Sequence, residues 1–276
     1  MTSPDAPRML TRDTPLTELT GDQLRARVAR AQMFLIDVAP TDNAPSVLPA
    51  ALERDHLAYL YKLEVEGRLY GYGPIDAQPG RLAHHLAIVV AATLADAQAI
   101  AASEPLQRAG LATNTVRGHW INEGVACYVA RAMSRRAAAI APFDPNISSV
   151  GTSAADISGR AMGAAVQLVT LGPTDKPRPK EDEQTGYDHF VWLREHEMKA
   201  QMMSCGPLEP AAPLAPGIWG GGLGIFATTR AEAERIASIE PSGRAGYRRL
   251  TVQTWVVDYG VAAPIARALA TLNTLP

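Results

Sequence analysis

Blocks of apolar and polar residues follow one another along this chain in a repeating order. Gln32 to Pro40, QMFLIDVAP, is an apolar, β-branched run stopped by proline, which predicts a strand. Farther on the period lengthens. Leu57, Leu60 and Tyr61 fall at i, i+3 and i+4, the spacing of one helix face, and Gly67 supplies a stop. RLYGYGP, Arg68 to Pro74, and LAIVVAA, Leu86 to Ala92, predict a second and a third strand. Helical spacing returns in LADAQAIAASE, with Ala97, Ile100 and Ala101 on one face and Pro105 beyond its end. Thr115 to Ile121 predicts a fourth strand, and Tyr128 to Ala138 a short closing helix. The order β-α-β-β-α-β is the ferredoxin-like motif.

The pattern then recurs. His56 and His189 are 133 positions apart, as are Gly73 and Gly206, and Pro40-Thr41-Asp42 and Pro173-Thr174-Asp175. After the Gly-Pro pair the second copy gains three residues, and the offset becomes 136. That offset aligns Ile100-Ala101 with Ile236-Ala237, Glu104-Pro105 with Glu240-Pro241, and Ala109-Gly110 with Ala245-Gly246. It also aligns Ala130-Arg131-Ala132 with Ala266-Arg267-Ala268. One register held over so long a stretch implies a duplicated unit. The expected division is an N-terminal extension with a short helix (1–30), a first repeat (31–139), a linker (140–161) and a second repeat (162–276). The expected fold class is α+β: two tandem ferredoxin-like repeats whose four-stranded sheets face each other within one chain.

Composition narrows the function. The chain has 276 residues, 47% hydrophobic and 20% charged, with a formal net charge of −2. Such a balance leaves no electrostatic footprint for nucleic acid or an anionic membrane. Two cysteines, Cys127 and Cys205, make neither a disulfide framework nor a zinc site, and a reducing cytoplasm is the expected setting. The opening MTSPDAPRMLTRDTPLTEL lacks an apolar signal core, and no window is long and apolar enough to predict a membrane span. No HExxH, Cys-x-x-Cys or acidic cluster is present, so no bound metal is expected.

His56-Leu57, Leu60 and Leu63, then Glu66-Gly67-Arg68-Leu69, Gly73-Pro74, Glu104-Pro105 and Ala109-Gly110, form a pattern that resembles the YCII family. The resemblance covers most of the first copy and, more weakly, the second. It implies the dimeric α/β-barrel fold, shared with muconolactone isomerases and cofactor-free monooxygenases. It also implies a His-Asp active site, with His56 and His189 as the histidines; some members are dehalogenating lyases. Asp42 and Asp175, at the end of each first strand, are the first choice of carboxylate partner, and Glu104 and Glu240 the next. A neutral imidazole can take or give a proton near neutral pH. The chain departs from the family in having Glu-Pro for Asp-Pro, two copies for one, and Lys199-Ala200 where the first copy has Glu66-Gly67. The retained Glu-Gly places the expected working pocket in the first copy.

Other residues are candidates for lining a substrate pocket: Tyr70, Tyr72, His84, His119 and Trp219. His84 and His85 are neighbours on a strand and point to opposite faces, so they cannot chelate one metal. GIWGGGLGIF, Gly217 to Phe226, lies between two strands. It reads as a hairpin or bulge opening the barrel mouth, since a dinucleotide loop needs a following helix. Two functions are consistent with these residues. One is a cofactor-independent lyase or isomerase, performing elimination, dehalogenation or proton transfer on a small cyclic or aromatic-derived metabolite. The other is a non-catalytic ligand-binding or assembly protein, because common descent preserves a packed histidine as readily as a catalytic one. The expected partner is a small-molecule substrate without cofactor; homo-oligomerisation is left open.

Overall fold

Strand β1 (Ala31–Pro40) buries side chains on both faces: Met33 and Leu35 on one, Phe34, Ile36 and Val38 on the other. A sheet buried on both sides needs a covering layer on each. Helices supply one layer here, and the second half of the chain supplies the other.

The computed structural model describes residues 19–25, 28–77, 82–146 and 152–273. The expected N-terminal extension is therefore described only in part, and includes α1 (Gly21–Arg25). The first repeat continues from β1 with α2 (Ala50–Val65), β2 (Leu69–Ile75), β3 (His84–Val89), α3 (Leu94–Ala102), α4 (Pro105–Arg108), β4 (Ala112–Ile121) and α5 (Cys127–Arg136). After α6 (Ala154–Ser158) the second runs β5 (Ala164–Pro173), α7 (Glu183–Met198), β6 (Met202–Pro207), β7 (Gly222–Phe226), α8 (Arg230–Ser238), α9 (Pro241–Arg244), β8 (Arg248–Val257) and α10 (Ala262–Leu272). Each half is an antiparallel β-α-β-β-α-β unit with strand order β4-β1-β3-β2 or β8-β5-β7-β6.

The two sheets face each other across one core. Met33, Leu35 and Ile88 meet Val166, Leu168, Ile225 and Trp255 there. They do not remain separate layers, however. β2 pairs with β8 at Ile75–Trp255, and β6 returns to β4 through the bridges His119–Leu208 and Glu123–Cys205. Both edges are joined, and the eight strands close into a barrel that leaves no free sheet edge. α5 and α10 contribute the equivalent alanines Ala130 and Ala266 to the same core. The other helices cover the outside. Tyr59, Leu60, Leu63 and Ile100 pack on the first sheet, and Trp192, Leu193 and Ile236 on the second.

Details of the sequence reading change. The buried face of α2 is His56, Tyr59, Leu60 and Leu63, with Leu57 and Tyr61 only partly covered. Strand pairing also corrects the repeat register. Phe34 pairs with Val89 and Gln167 with Phe226, so the third strands are offset by 137. The helix caps Thr93 and Thr229 remain 136 apart. The second copy therefore gains four residues before β7 and loses one after it. The docking of each histidine helix is preserved: Tyr59 donates from its hydroxyl to the Ile100 carbonyl at 3.0 Å, and Trp192 from its indole to that of Ile236 at 3.3 Å.

The repeated Gly-Pro marks where the barrel closes. Tyr72 donates to the Tyr259 carbonyl at 3.0 Å and accepts from Asp258 at 2.9 Å; at the other seam Cys205 accepts from Asn122 at 2.8 Å and donates to Glu123 at 2.9 Å. These bonds bring one repeat's backbone against the next residue of the other. A Cβ on Gly73 would stand 1.7 Å from the Val256 oxygen, and one on Gly206 1.8 Å from the Trp120 oxygen. Pro74 and Pro207 then follow, residues that donate nothing to a ladder and belong at such an edge.

Among the described residues no helix is long and apolar enough to cross a membrane.

Gly206→Ala is expected to destabilise the protein by about 2–4 kcal/mol, because a backbone carbonyl must move; a denaturant midpoint within error of the parent would contradict the seam argument. Ala200 ends α7 at φ 54, where Gly67 ends α2 at φ 70. Left-handed backbone costs a residue with a Cβ about 1 kcal/mol, so Ala200→Gly should raise the unfolding free energy by that amount, seen as a higher midpoint at unchanged denaturant slope.

Candidate active site

Glu104 begins α4, and its two carboxylate oxygens do different work. Oε2 accepts from the Gln107 amide at 2.8 Å, capping the helix, and Oε1 lies 2.7 Å from Nδ1 of His56. The imidazole then donates from Nδ1 and accepts at Nε2. The Tyr72 hydroxyl fills that acceptor position at 3.1 Å, and the Tyr72 ring stacks on His85 with centroids 5.2 Å apart. Burial raises the Tyr72 hydroxyl well above the ordinary phenol range, with the Glu104 charge adding to it, so it stays a donor. Burial also drives His85 down to about 4, helped by neighbouring His56. Tyr72, His56 and Glu104 are all buried, and every ring nitrogen of His56 is engaged.

The second copy repeats the pair and changes what surrounds it. Glu240 begins α9 and accepts from the Ser242 amide at 3.0 Å, the Ser242 hydroxyl at 2.6 Å and the Gly243 amide at 2.7 Å. Its Oε1 lies 2.7 Å from Nδ1 of His189. Burial by itself would raise the Glu240 carboxyl, but the bonds from His189 and Ser242 outweigh it and hold it at about 2. His189 is lowered from the ordinary imidazole value. Burial is the main cause; the bond and charge of Glu240 oppose it, and the Arg248 and Arg178 charges add to it. At neutral pH this is a carboxylate beside a neutral imidazole, whose Nδ1–H is given to Glu240 and whose Nε2 is a base.

His189 lines an open cavity. By strand register Tyr72 corresponds to Cys205 and His85 to Gly222. Two ring systems are thus replaced by a thiol and a hydrogen, and a cavity of about 560 Å³ lies beside His189. Phe190, Trp219, Arg178 and Arg248 line it, as do Asn122 and Glu123 from the first repeat. The seam is the reason: the residues after β4 run alongside Cys205. Burial raises the Glu123 carboxyl to about 8.

Trp219 organises the cationic side. Its ring meets that of His189 edge-on at 5.6 Å, and the guanidinium carbons of Arg178 and Arg248 lie 4.5 and 4.2 Å from its ring centre. Arg248 also donates from Nε to the Gly220 carbonyl at 2.8 Å, and its Nη1 is 3.5 Å from Nε2 of His189. Arg178 is fixed by its bond to the Asp182 carbonyl at 3.1 Å, and Asp182 caps α7.

Several expectations are corrected. Asp42 and Asp175 do not reach the histidines. Thr41 and Thr174 each tie the end of their first strand to the carbonyl of Gly110 or Gly246, and the exposed aspartates that follow point away. Glu104 and Glu240 meet the imidazoles instead, because α4 and α9 start directly beneath the histidine helices. Asp42 lies with His84 at a separate cavity, where His84 pairs with Asp37 at 2.5 Å and is raised by that bond. His84 and His85 do face opposite ways. Tyr70 is fully buried in the barrel core, its hydroxyl pushed up to about 12 by burial. His119 is sealed in the β4–β6 seam, donating from Nδ1 to the Pro207 carbonyl at 3.1 Å. Trp219 alone among the pocket-lining candidates is at the open cavity. The expected location in the first copy is not matched by the geometry, which closes that dyad and opens the second. The arginines were missed, although aligning the copies puts Arg248 opposite Ala112 at the start of the last strand.

Among the described residues no three His, Cys, Asp or Glu side chains converge as metal ligands. Residues 37–119 match the YCII-related domain, which lies within the first repeat. No curated protein matches the chain. Similar solved structures include a heme-binding protein from Thermus thermophilus, 14% identical over 88% of this chain and 96% of that one, with TM-score 0.47. Another is a mutant chlorite dismutase from Candidatus Nitrospira defluvii, 10% identical over 87% and 96%, with TM-score 0.48.

NMR titration of the ring protons should give His189 a midpoint below the ordinary imidazole value of about 6.5. The imidazole is then charged only in more acid solution. A midpoint above that value would mean that Glu240, not burial and the arginines, dominates.

Proposed function

We propose that this chain, which carries a YCII-related domain in its first half, is an enzyme that moves a proton with the His189–Glu240 pair. The reaction class is elimination, dehalogenation or isomerisation of a small cyclic or aromatic-derived metabolite, without an added cofactor. One observation carries the reading: a neutral imidazole, oriented by an ionised carboxylate, lines a cavity of about 560 Å³, with Arg248 Nη1 3.5 Å from its second nitrogen. That volume suits a metabolite-sized ligand.

Each residue has a role in this reading. Glu240 holds the tautomer and stabilises the imidazolium that forms when Nε2 accepts the proton. The backbone and hydroxyl donors on Glu240 keep the carboxylate from taking the proton itself. Trp219 and Phe190 supply the surface on which a ring can lie. Glu123, protonated up to about pH 8, is a donor on the wall contributed by the other repeat. The first copy's dyad, sealed by Tyr72, is a structural partner.

Heme, named for one structural relative, would meet an imidazole already engaged here. The imidazole nitrogen that would have to meet iron faces the Arg248 guanidinium, 3.5 Å away.

A metabolite screen by thermal shift, followed by turnover assays on the hits, tests the proposal. His189→Ala should lower turnover by about 10²–10⁴, the usual worth of a positioned base, while His56→Ala should leave it within a few-fold of the parent if the protein folds. The rate should fall in acid with a midpoint below about 6.5, as His189 takes up its proton. Undiminished turnover in His189→Ala would remove the histidine from the mechanism. Binding of hits with no turnover of any would favour the non-catalytic alternative.

A further inference from the structure

We infer that the cavity beside His189 is built for a small organic carboxylate, held by Arg178 and Arg248 beside Trp219. The inference deepens the reading of the His189 pocket and rests on it. Two guanidinium groups lie over one indole ring, 4.5 and 4.2 Å from its centre. Neither forms an ion pair with a described carboxylate, although both line the cavity. The two buried arginines among the described residues, Arg68 and Arg194, do have such partners, Glu66 and Glu197. Two cations at one cavity repel each other and need compensation. The indole ring supplies part of it and the Glu240 charge another part, and an anion in the cavity supplies the rest.

Each arginine is tied through Nε to a backbone carbonyl, Arg178 to Asp182 and Arg248 to Gly220. Apart from Arg248 Nη1, which lies near His189, their terminal nitrogens are left to bind, in the fork that suits a carboxylate. The lining acids Asp22 and Glu183 are exposed, whereas buried Glu123 is held largely neutral, so the inner part of the cavity keeps its positive character. Burial also lowers Arg248 to about 10, although the Glu240 charge opposes it.

The position of Arg248 links this recognition to the base. Its Nη1 stands 3.5 Å from Nε2 of His189, across the mouth of the lone pair. A carboxylate that takes the guanidinium draws it away from the imidazole and puts negative charge next to the ring. The base is then free and more basic, and the carbon beside the bound carboxylate lies near it. Substrates lacking the acid group leave the base covered.

Calorimetry with benzoate, benzamide, succinate and inorganic phosphate tests this on the whole chain, with ring-proton NMR of His189 as a second readout. Benzoate should bind at least about tenfold more tightly than benzamide. Arg178→Met and Arg248→Met should each weaken benzoate about tenfold or more, and Arg248→Lys should recover part of the loss. Benzoate should raise the His189 midpoint in the parent, and should raise it less in Arg248→Met. Equal binding of benzoate and benzamide, unchanged affinity in both methionine variants, or no carboxylate binding below about 10 mM would overturn the inference. So would a tenfold preference for phosphate over both carboxylates. Arginine-dependent benzoate binding together with undiminished turnover in His189→Ala would leave this inference standing and remove the proton-transfer reading. Turnover of an uncharged substrate that depends on His189 would do the reverse.

Discussion

Closure of the barrel at two seams is the constraint on which the rest of the structure depends. Each four-stranded sheet ends in β2 and β4, or in β6 and β8, and an exposed edge strand invites pairing with any other chain. Here each edge finds its partner in the other repeat. The approach is so close that a single methyl group at Gly73 or Gly206 would overlap a backbone carbonyl. Because the two sheets also face each other, one apolar core serves both repeats, and neither half has a complete interior of its own. Fusion makes this pairing independent of protein concentration.

The same closure decides how a site is assembled. The residues that follow the last strand of one repeat run beside the second strand of the other. Asn122 and Glu123 therefore reach the wall next to Cys205, just as Asp258 and Tyr259 reach Tyr72. A pocket in the second repeat thus has a wall made by the first. Its chemistry depends on residues far apart in the chain, which local sequence does not place together.

Within this common frame the two copies have taken opposite courses. Both retain a histidine 2.7 Å from a helix-capping glutamate. In the first copy, a tyrosine and a second histidine fill the space above the imidazole, satisfy its free nitrogen and stack on each other. In the second, a cysteine and a glycine leave that space open, and two arginines with a tryptophan border it. Filling such a space gains packing and aromatic contacts, about 0.5–1.5 kcal/mol for a ring pair. Leaving it open forgoes them. That a cavity is kept where the dyad is exposed, and filled where it is not, fits the general opposition between packing and function.

The sequence by itself determined the repeat, the order of elements and the equivalence of the two histidines. These rest on local pattern: hydrophobic period, proline and glycine stops, and residues recurring at a constant offset. It also singled out Trp219 and, as second choices, Glu104 and Glu240. Tertiary structure alone decided the remainder. Asp42 and Glu104 are both acids near strand or helix ends, and only the direction of the turn after β1 sends one outward while α4 holds the other under the imidazole. Family likeness favoured the first copy because its Glu66-Gly67 is retained, yet that pair ends a helix and lies away from the imidazole. Accessibility is settled by Tyr72 against Cys205 and His85 against Gly222, a correspondence that required the strand register with its four-residue gain and one-residue loss. Whether a cavity exists depends on volume summed over several elements, and no spacing along one chain segment records that sum.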